Sequence, residues 1–264
     1  MEKLLVLDLE TVPDLEAGRS LLGEAADGLD SAALRAALGH RTAREGQDPA
    51  TVFLKPVLHR ICAMGVLRAE RDSAEAPWRI VSLKARTTDE MDEAEMLRRL
   101  EQLLRAQPVL VGFNSSGFDL PVLRYRALAL GVPMPALLGP EGRDYTYRYG
   151  TAHIDLCERL SGYRATPPPS LAEACALLGI TVKTGMNGNE VEPAMAAGRG
   201  SEVAAYCERD VAATYLLWLR WMQVMGAQGV AEDLSVLADF ADAMPHLADI
   251  AGAAGRLSGA SPPG

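Results

Sequence analysis

The stretch that most constrains this chain is Leu4-Leu-Val-Leu7, followed at once by Asp8-Leu-Glu10 and then Pro13. Four consecutive apolar residues suit a strand covered on both faces at the centre of a sheet. Side chains alternate along a strand, so Asp8 and Glu10 point to one side, a few ångströms apart, at the end of that strand. Burying unpaired charge is costly, so such a pair either reaches water or is neutralised by a bound cation. Acids that merely cap the next turn are the plain alternative, and this stretch alone does not choose between them.

The chain has 264 residues and 48% hydrophobic content, enough for one sizeable domain. Its apolar runs are too short to span a bilayer, and Met1-Glu2-Lys3 leads into a strand without a signal-peptide pattern, so a soluble cytoplasmic protein is expected. Cys62, Cys157, Cys175 and Cys207 lie far apart without Cys-x-x-Cys spacing, the pattern of reduced buried thiols rather than of a zinc knuckle or disulfide framework. A net charge of -9 argues against a general polyanion-binding surface and leaves room for a local basic patch or a metal-bridged contact.

Residues 15–50 shift to Ala, Gly and acids and read as an insertion. Ile61–Leu67 and Arg79–Leu83 read as strands of a meander with the first. Thr87 and Glu90 have capping-box spacing ahead of a helix with Met96, Leu97, Leu100, Leu103 and Leu104 on one face, closed by Pro108. Val109–Phe113 is a short strand, and Asn114-Ser-Ser-Gly-Phe118-Asp119 leads into a helix opened by Pro121. Asp119 alone would be a capping residue. Arg143-Asp-Tyr145-Thr-Tyr147-Arg-Tyr149 interleaves cations with aromatic rings, a composition that stacks unpaired bases, with an exposed hairpin as the alternative. His153 reads as structural. A long helix capped by Ser201 and running to about Met225 places Tyr206 and Asp210, four residues apart, on one face. Residues 1–244 are expected to form a single domain and 245–264 a flexible tail, because the Ala/Gly/Ser/Pro composition from Ala251 has little apolar bulk.

As an ordered set, Asp8-x-Glu10, Asn114-x-x-x-Phe118-Asp119 and Tyr206-x-x-x-Asp210 resemble the three exonuclease motifs of the DEDD superfamily, and the tyrosine marks the DEDDy branch. Ala205 stands where the sister DEDDh branch would carry histidine. The stretches Leu5–Asp14, Gly112–Pro121 and Tyr206–Val211 are similar to stand-alone 3′–5′ exonucleases related to the proofreading domain of family B DNA polymerases. The resemblance spans roughly residues 1 to 225 and says nothing of residues 15–50 or of the tail.

It implies a ribonuclease-H-like α/β fold, a three-strand antiparallel meander plus parallel strands flanked by helices. It also implies a 3′–5′ exonuclease acting on single-stranded 3′ ends, of DNA in the first instance, and releasing nucleoside 5′-monophosphates. Asp8, Glu10, Asp119 and Asp210 would hold two divalent cations, Mg²⁺ or Mn²⁺, and Tyr206 would orient the attacking water. Hard oxygen ligands around two ions about 3.5–4 Å apart suit in-line displacement at phosphorus. Thr11, Asn114 and Phe118 are expected to contact the terminal nucleotide, Tyr145 and Tyr147 to stack bases, and Lys183 to touch a phosphate. The alternatives are an exoribonuclease of the same fold and a non-catalytic nucleic-acid-binding module with a retained metal site. No membrane partner is expected.

Overall fold

The computed structural model describes residues 1–139, 144–180 and 186–259. The chain opens with β1 (Glu2–Pro13), helices α1 (Leu15–Leu22) and α2 (Ser31–His40), and an irregular stretch that ends in a short 3-10 turn at Pro56–Leu58. Then come β2 (His59–Arg71), β3 (Arg79–Thr87), α3 (Glu93–Leu104), β4 (Val109–Gly112), α4 (Asp119–Leu130), α5 (Pro135–Leu138) and β5 (His153–Asp155). The remaining helices are α6 (Leu156–Leu160), α7 (Leu171–Leu177), α8 (Gly188–Ala196), α9 (Gly200–Val224), α10 (Val230–Asp242) and α11 (Ala248–Ser258).

The strands form one mixed sheet in the order β3-β2-β1-β4-β5. β1 pairs antiparallel with β2 and β2 with β3, the expected meander, while β4 joins β1 and β5 joins β4 in parallel. This is a ribonuclease-H-like sheet flanked by helices. β1 sits at its centre because both of its faces are apolar. Leu4 and Val6 face a core completed by α9, α10 and α11, and Leu5, Leu7 and Leu9 face a second core under α3 and α4. Among the described residues no helix is long and apolar enough to cross a membrane.

α9, 25 residues long, packs across β1, β2 and β3. Gly65 of β2 lets it come close: a Cβ there would lie 2.7 Å from Cys207 Sγ and 2.8 Å from Val211 Cγ2. Any side chain at that point would push the helix away from Asp8, the residue paired with Gly65.

Residues 15–50 carry α1 and α2, followed by turns. Leu34 and Leu38 are fully buried, and Leu38 shares a small core with Leu54 and Leu58. Helix starts differ from the sequence expectation in three places, one of them α4, which starts at Asp119 rather than at Pro121. α3 is capped by Asp92, which accepts from Glu95 N, while Thr87 stays in β3, and α9 starts one residue before Ser201 with Arg199 at the cap position. Local capping chemistry recurs every few residues here, and the strand ladder decided which site is used.

The tail expectation is corrected by α11. Ile250, Ala253 and Ala254 are fully buried in the main core against residues such as Leu234 and Leu237, and Asp249 forms an ion pair with Arg209 of α9. The low apolar bulk was misleading because alanines let two helices approach closely, so the partner supplies the bulk. Ile250→Ala should therefore lower the free energy of unfolding by about 2–5 kcal/mol in urea denaturation. An unchanged midpoint would mean that α11 does not dock in solution.

Candidate active site

The site begins where β4 stops. β4 pairs with β1 only over Leu4–Val6, so beyond that point this edge of β1 has no neighbouring strand among the described residues. The Leu9 N–H, buried there, donates to Asp119 Oδ1 at 3.0 Å. A carboxylate thus takes the place of a ladder partner and is held beside Asp8 and Glu10. Asp119 is the first residue of α4, with Phe118 at the cap position, so it is not the helix cap its position alone suggests.

The loop that delivers Asp119 is fastened by Asp155. Its carboxylate accepts from Asn114 N and Ser116 N, each at 2.9 Å, and also caps α6 through Cys157 N at 3.0 Å. His153 is structural as expected: buried, with Nε2 2.8 Å from Ser115 Oγ. Asn114 takes a left-handed φ of 56°, and its Oδ1 accepts from Arg164 Nη2 at 2.9 Å.

α9 brings the rest. Tyr206 and Asp210 lie one turn apart on one face of α9, and each perturbs the other's titration. Cys207 Sγ lies 3.7 Å from both the carbonyl and a carboxylate oxygen of Asp8. Ligand atoms of Asp8, Glu10 and Cys207 all fall within 4.8 Å of one another. Asp8, Asn114, Cys157, Arg164 and Asp210 share the lining of a cavity of about 520 Å³.

This crowding of anions has a measurable consequence. Burial, followed by repulsion from Asp119 and Asp210, pushes the Asp8 carboxyl well above the usual range. Glu10 is pushed up in the same way by burial and then by Asp8 and Asp210. Burial raises Asp119 to about 7 in spite of the Leu9 N–H, and raises Asp210 to about 6 in spite of Tyr206 and Arg209. Arg209 offers little neutralisation: its guanidinium is 3.9 Å from Asp210 and is paired with Asp249. Tyr206 is itself pushed up by burial and then by Asp210, so its hydroxyl keeps its proton. Clustered carboxylates short of positive charge fit a hard divalent cation such as Mg²⁺ or Mn²⁺. The Cys207 thiol, driven up by burial and then by Asp8, stays protonated beside them.

The sequence-predicted contacts fare unevenly. Thr11 Oγ1 is bonded to His59 Nδ1 at 2.8 Å, and the Phe118 ring lies 5.4 Å from the His59 ring and 5.2 Å from that of Phe53. Tyr145 is not a base-stacking residue: it is fully buried under α3 and α4, with its hydroxyl donating to the Pro108 carbonyl at 2.8 Å. Tyr147 and Tyr149 beside it are exposed, and the Tyr149 ring lies 4.7 Å from that of Tyr163. Alternation of cations with aromatics could not distinguish the one ring that turns inward. Lys183 and Arg143 lie outside the described residues. Sequence reasoning gave no role to Asp155, Arg164 or Phe53. The position of Asp155 between a short strand and a helix was a usable signal, whereas Arg164 and Phe53 carried none.

The four acids and Tyr206 thus gather at one end of the central strand of a ribonuclease-H-like sheet. The family of predicted 3′–5′ exonucleases related to the exonuclease domain of PolB matches residues 51–249, and the chain belongs to it. That match contains Asp119, Tyr206 and Asp210 and begins after Asp8 and Glu10. A DNA polymerase of Archaeoglobus fulgidus is 24% identical over 173 residues, covering 60% of this chain and 21% of the polymerase. DNA polymerase 1 of Aeropyrum pernix is 38% identical over 73 residues, 28% of this chain and 8% of that protein. The family B DNA polymerase of Pyrobaculum calidifontis has a similar fold, with a TM-score of 0.50 and 17% identity over 95% of this chain and 27% of its own. The chain therefore spans well under a third of the length of these polymerases.

The raised carboxyls fix the pH dependence of the metal-free protein. In the unfolded chain they titrate near pH 4, whereas folded Asp210 and Asp119 titrate near 6 and 7. Between these values the folded state keeps protons that the unfolded state has lost. Their stabilising contribution is complete below about pH 4 and is lost as pH rises through 6 and 7. With chelator present, the thermal midpoint should fall between pH 5 and pH 8, roughly in the range of the pKa values above, and Asp119→Asn should flatten that fall. A midpoint that rises with pH in calorimetry would show that the acids are not clustered.

Proposed function

We propose that this chain is a metal-dependent 3′–5′ exonuclease that hydrolyses the terminal phosphodiester of an unpaired nucleic-acid 3′ end to a nucleoside 5′-monophosphate. The observation that carries the reading is the convergence of Asp8, Glu10, Asp119 and Asp210 at one end of the central strand, with Tyr206 one turn from Asp210 on α9. Membership of a family of predicted 3′–5′ exonucleases supports it.

Asp8, with Glu10 on its own strand and Asp119 and Asp210 on neighbouring elements, would hold divalent cations together with those three acids. When bound, two divalent ions supply positive charge to both oxygens of the in-line displacement and attract a phosphodiester to a chain of net charge -9. The protonated Tyr206 hydroxyl, one turn from Asp210, orients the attacking water. Asn114, held by Arg164 at the cavity wall, would contact the terminal nucleotide, and Arg164, 3.8 Å from Glu158, would add a local cation.

A time course on 5′-labelled single strands of DNA and of RNA tests this. Stepwise shortening from the 3′ end should appear with Mg²⁺ or Mn²⁺ and vanish with chelator. Asp8→Asn and Asp210→Asn should abolish it while leaving the fold intact, because the two-ion arrangement depends on each ligand. Tyr206→Phe should slow turnover by about a hundredfold with Mn²⁺ affinity nearly unchanged, the size of effect expected for a group that handles a proton or positions water. Full activity in the Asp8→Asn protein would refute the assignment.

A further inference from the structure

We propose that the groove between α3 and the outer strand β3 is a docking site for an acidic amphipathic helix of a protein partner. It lies on the face of the sheet opposite to the Asp8 carboxylate. Gly65 of β2, paired with Asp8, faces Cys207 and Val211 of α9, so Met64 and Val66 on either side of it face α3. On the first face α9 and α10 pack against β3, whereas on the second α3 lies over β2. This leaves a groove of about 510 Å³ beside α3. Two strands about 4.8 Å apart make a strip roughly 10 Å wide, the diameter of one α-helix.

The apolar seam of the groove comes from the sequence of α3. Met96, Leu100 and Leu103 stand at i, i+4 and i+7 and so form one row, which borders the groove together with Val66 and Met91. Met96 and Leu100 are buried, but Val66, Met91 and Leu103 are only half-buried. The apolar face of α3 is therefore wider than the surface that covers it, which suits a further neighbour. Met64, Met91 and Met96 bring three flexible thioethers that can adapt to an incoming aliphatic side chain. No aromatic ring belongs to the described lining, so stacked bases are a poor match for it.

Charge decides the kind of helix. Lys84 and Arg86 rise from β3 on one side of the seam, Arg99 from α3 on the other, and Arg68 stands further along β2. Glu95 is the one acid in the described lining. The acids just outside leave a surplus of positive charge. Arg68 lies 3.8 Å from Glu70, which also pairs with Arg79, while Arg86 pairs with Glu90, and Arg98 and Arg99 share Glu95. With Lys84 these groups are six cations against three acids, on a chain that carries 26 Lys and Arg against 35 Asp and Glu. Exposed pairs of this kind are weak and give way to carboxylates presented in a better geometry.

An apolar seam with cations on both flanks is the complement of a helix whose apolar stripe is bordered by Asp and Glu. The partner enters by the face of the sheet rather than by adding a strand to β3, because the Ala85 N–H on that edge already donates to Glu208 Oε1 at 2.9 Å. With the groove and the Asp8 carboxylate on opposite faces, such a helix leaves the acid cluster open.

Fluorescence anisotropy on the full chain tests the groove with three dye-labelled synthetic peptides of about sixteen residues, roughly 24 Å long as helices. One carries a leucine stripe at helical spacing flanked by glutamates, the second the same stripe flanked by lysines, and the third the composition of the first in an order that breaks the stripe. The first should bind saturably and about tenfold or more tightly than either of the others. The double charge reversal Lys84→Glu with Arg99→Glu, at two exposed side chains, should weaken the first peptide at least tenfold and strengthen the lysine-flanked one. Equal binding of the three peptides, no saturable binding of the first, or an affinity untouched by the reversal overturns the proposal. Displacement of the bound peptide by a single-stranded oligonucleotide would assign the groove to nucleic acid instead, and a dimer of the wild type that the reversal dissociates in analytical ultracentrifugation would assign it to a second copy. Should the reversed protein not fold, the ranking of the three peptides on the wild type decides by itself.

Discussion

The hydrogen bond from the Leu9 N–H to Asp119 is the contact on which the site depends. β4 is too short to follow β1 past Val6, so a backbone donor at the centre of the sheet lacks a strand partner. Leaving a buried N–H unmet costs about 1–3 kcal/mol, and a carboxylate at the start of α4 satisfies it. The same bond draws a third acid to Asp8 and Glu10, so a need of the backbone and a need of the site are met by one group. Asp155 has the corresponding role at the end of β5, where its carboxylate gathers the N–H groups of the loop that delivers Asp119.

Such a cluster destabilises the chain that carries it. Carboxyls pushed above their usual range, first by burial and then by one another, reflect the cost of ionising such a cluster in the folded protein. The opposing stabilisation comes from the two apolar cores on either face of β1 and from the close seating of α9 over Gly65. The last helix belongs to this support. Asp249 of α11 pairs with Arg209, the neighbour of Asp210, so the end of the described chain is linked to the acid on α9.

Much of this was legible in the sequence, and the failures have physical causes. The apolar run broken by Asp8 and Glu10 marked the central strand and its active face because strand periodicity is strict. The four-residue spacing of Tyr206 and Asp210 fixed a shared helix face for the same kind of reason. Contacts between distant segments were not legible. Tyr145 and Tyr147 differ by two positions in a cation-rich stretch, yet one is buried against Pro108 and the other faces solvent, which only the packing of α3 and α4 decides. The alanines of α11 read as a loose tail because a small side chain shows its worth only beside the helix it fits. Asp119, read alone as a cap, owes its real role to where a different strand ends.

Titration of Mn²⁺ into chelator-treated protein, followed by calorimetry in buffers of different ionisation enthalpy, tests the central claim most directly. The raised Asp119 and Asp210 carboxyls, near 7 and 6, hold protons that bound cations must displace. At about pH 6.5, two ions per chain should bind with net release of protons, and Asp8→Asn should remove most of that binding. Mn²⁺ binding that releases no protons and is indifferent to Asp8→Asn, or no binding at all, would contradict a cation site built from these acids.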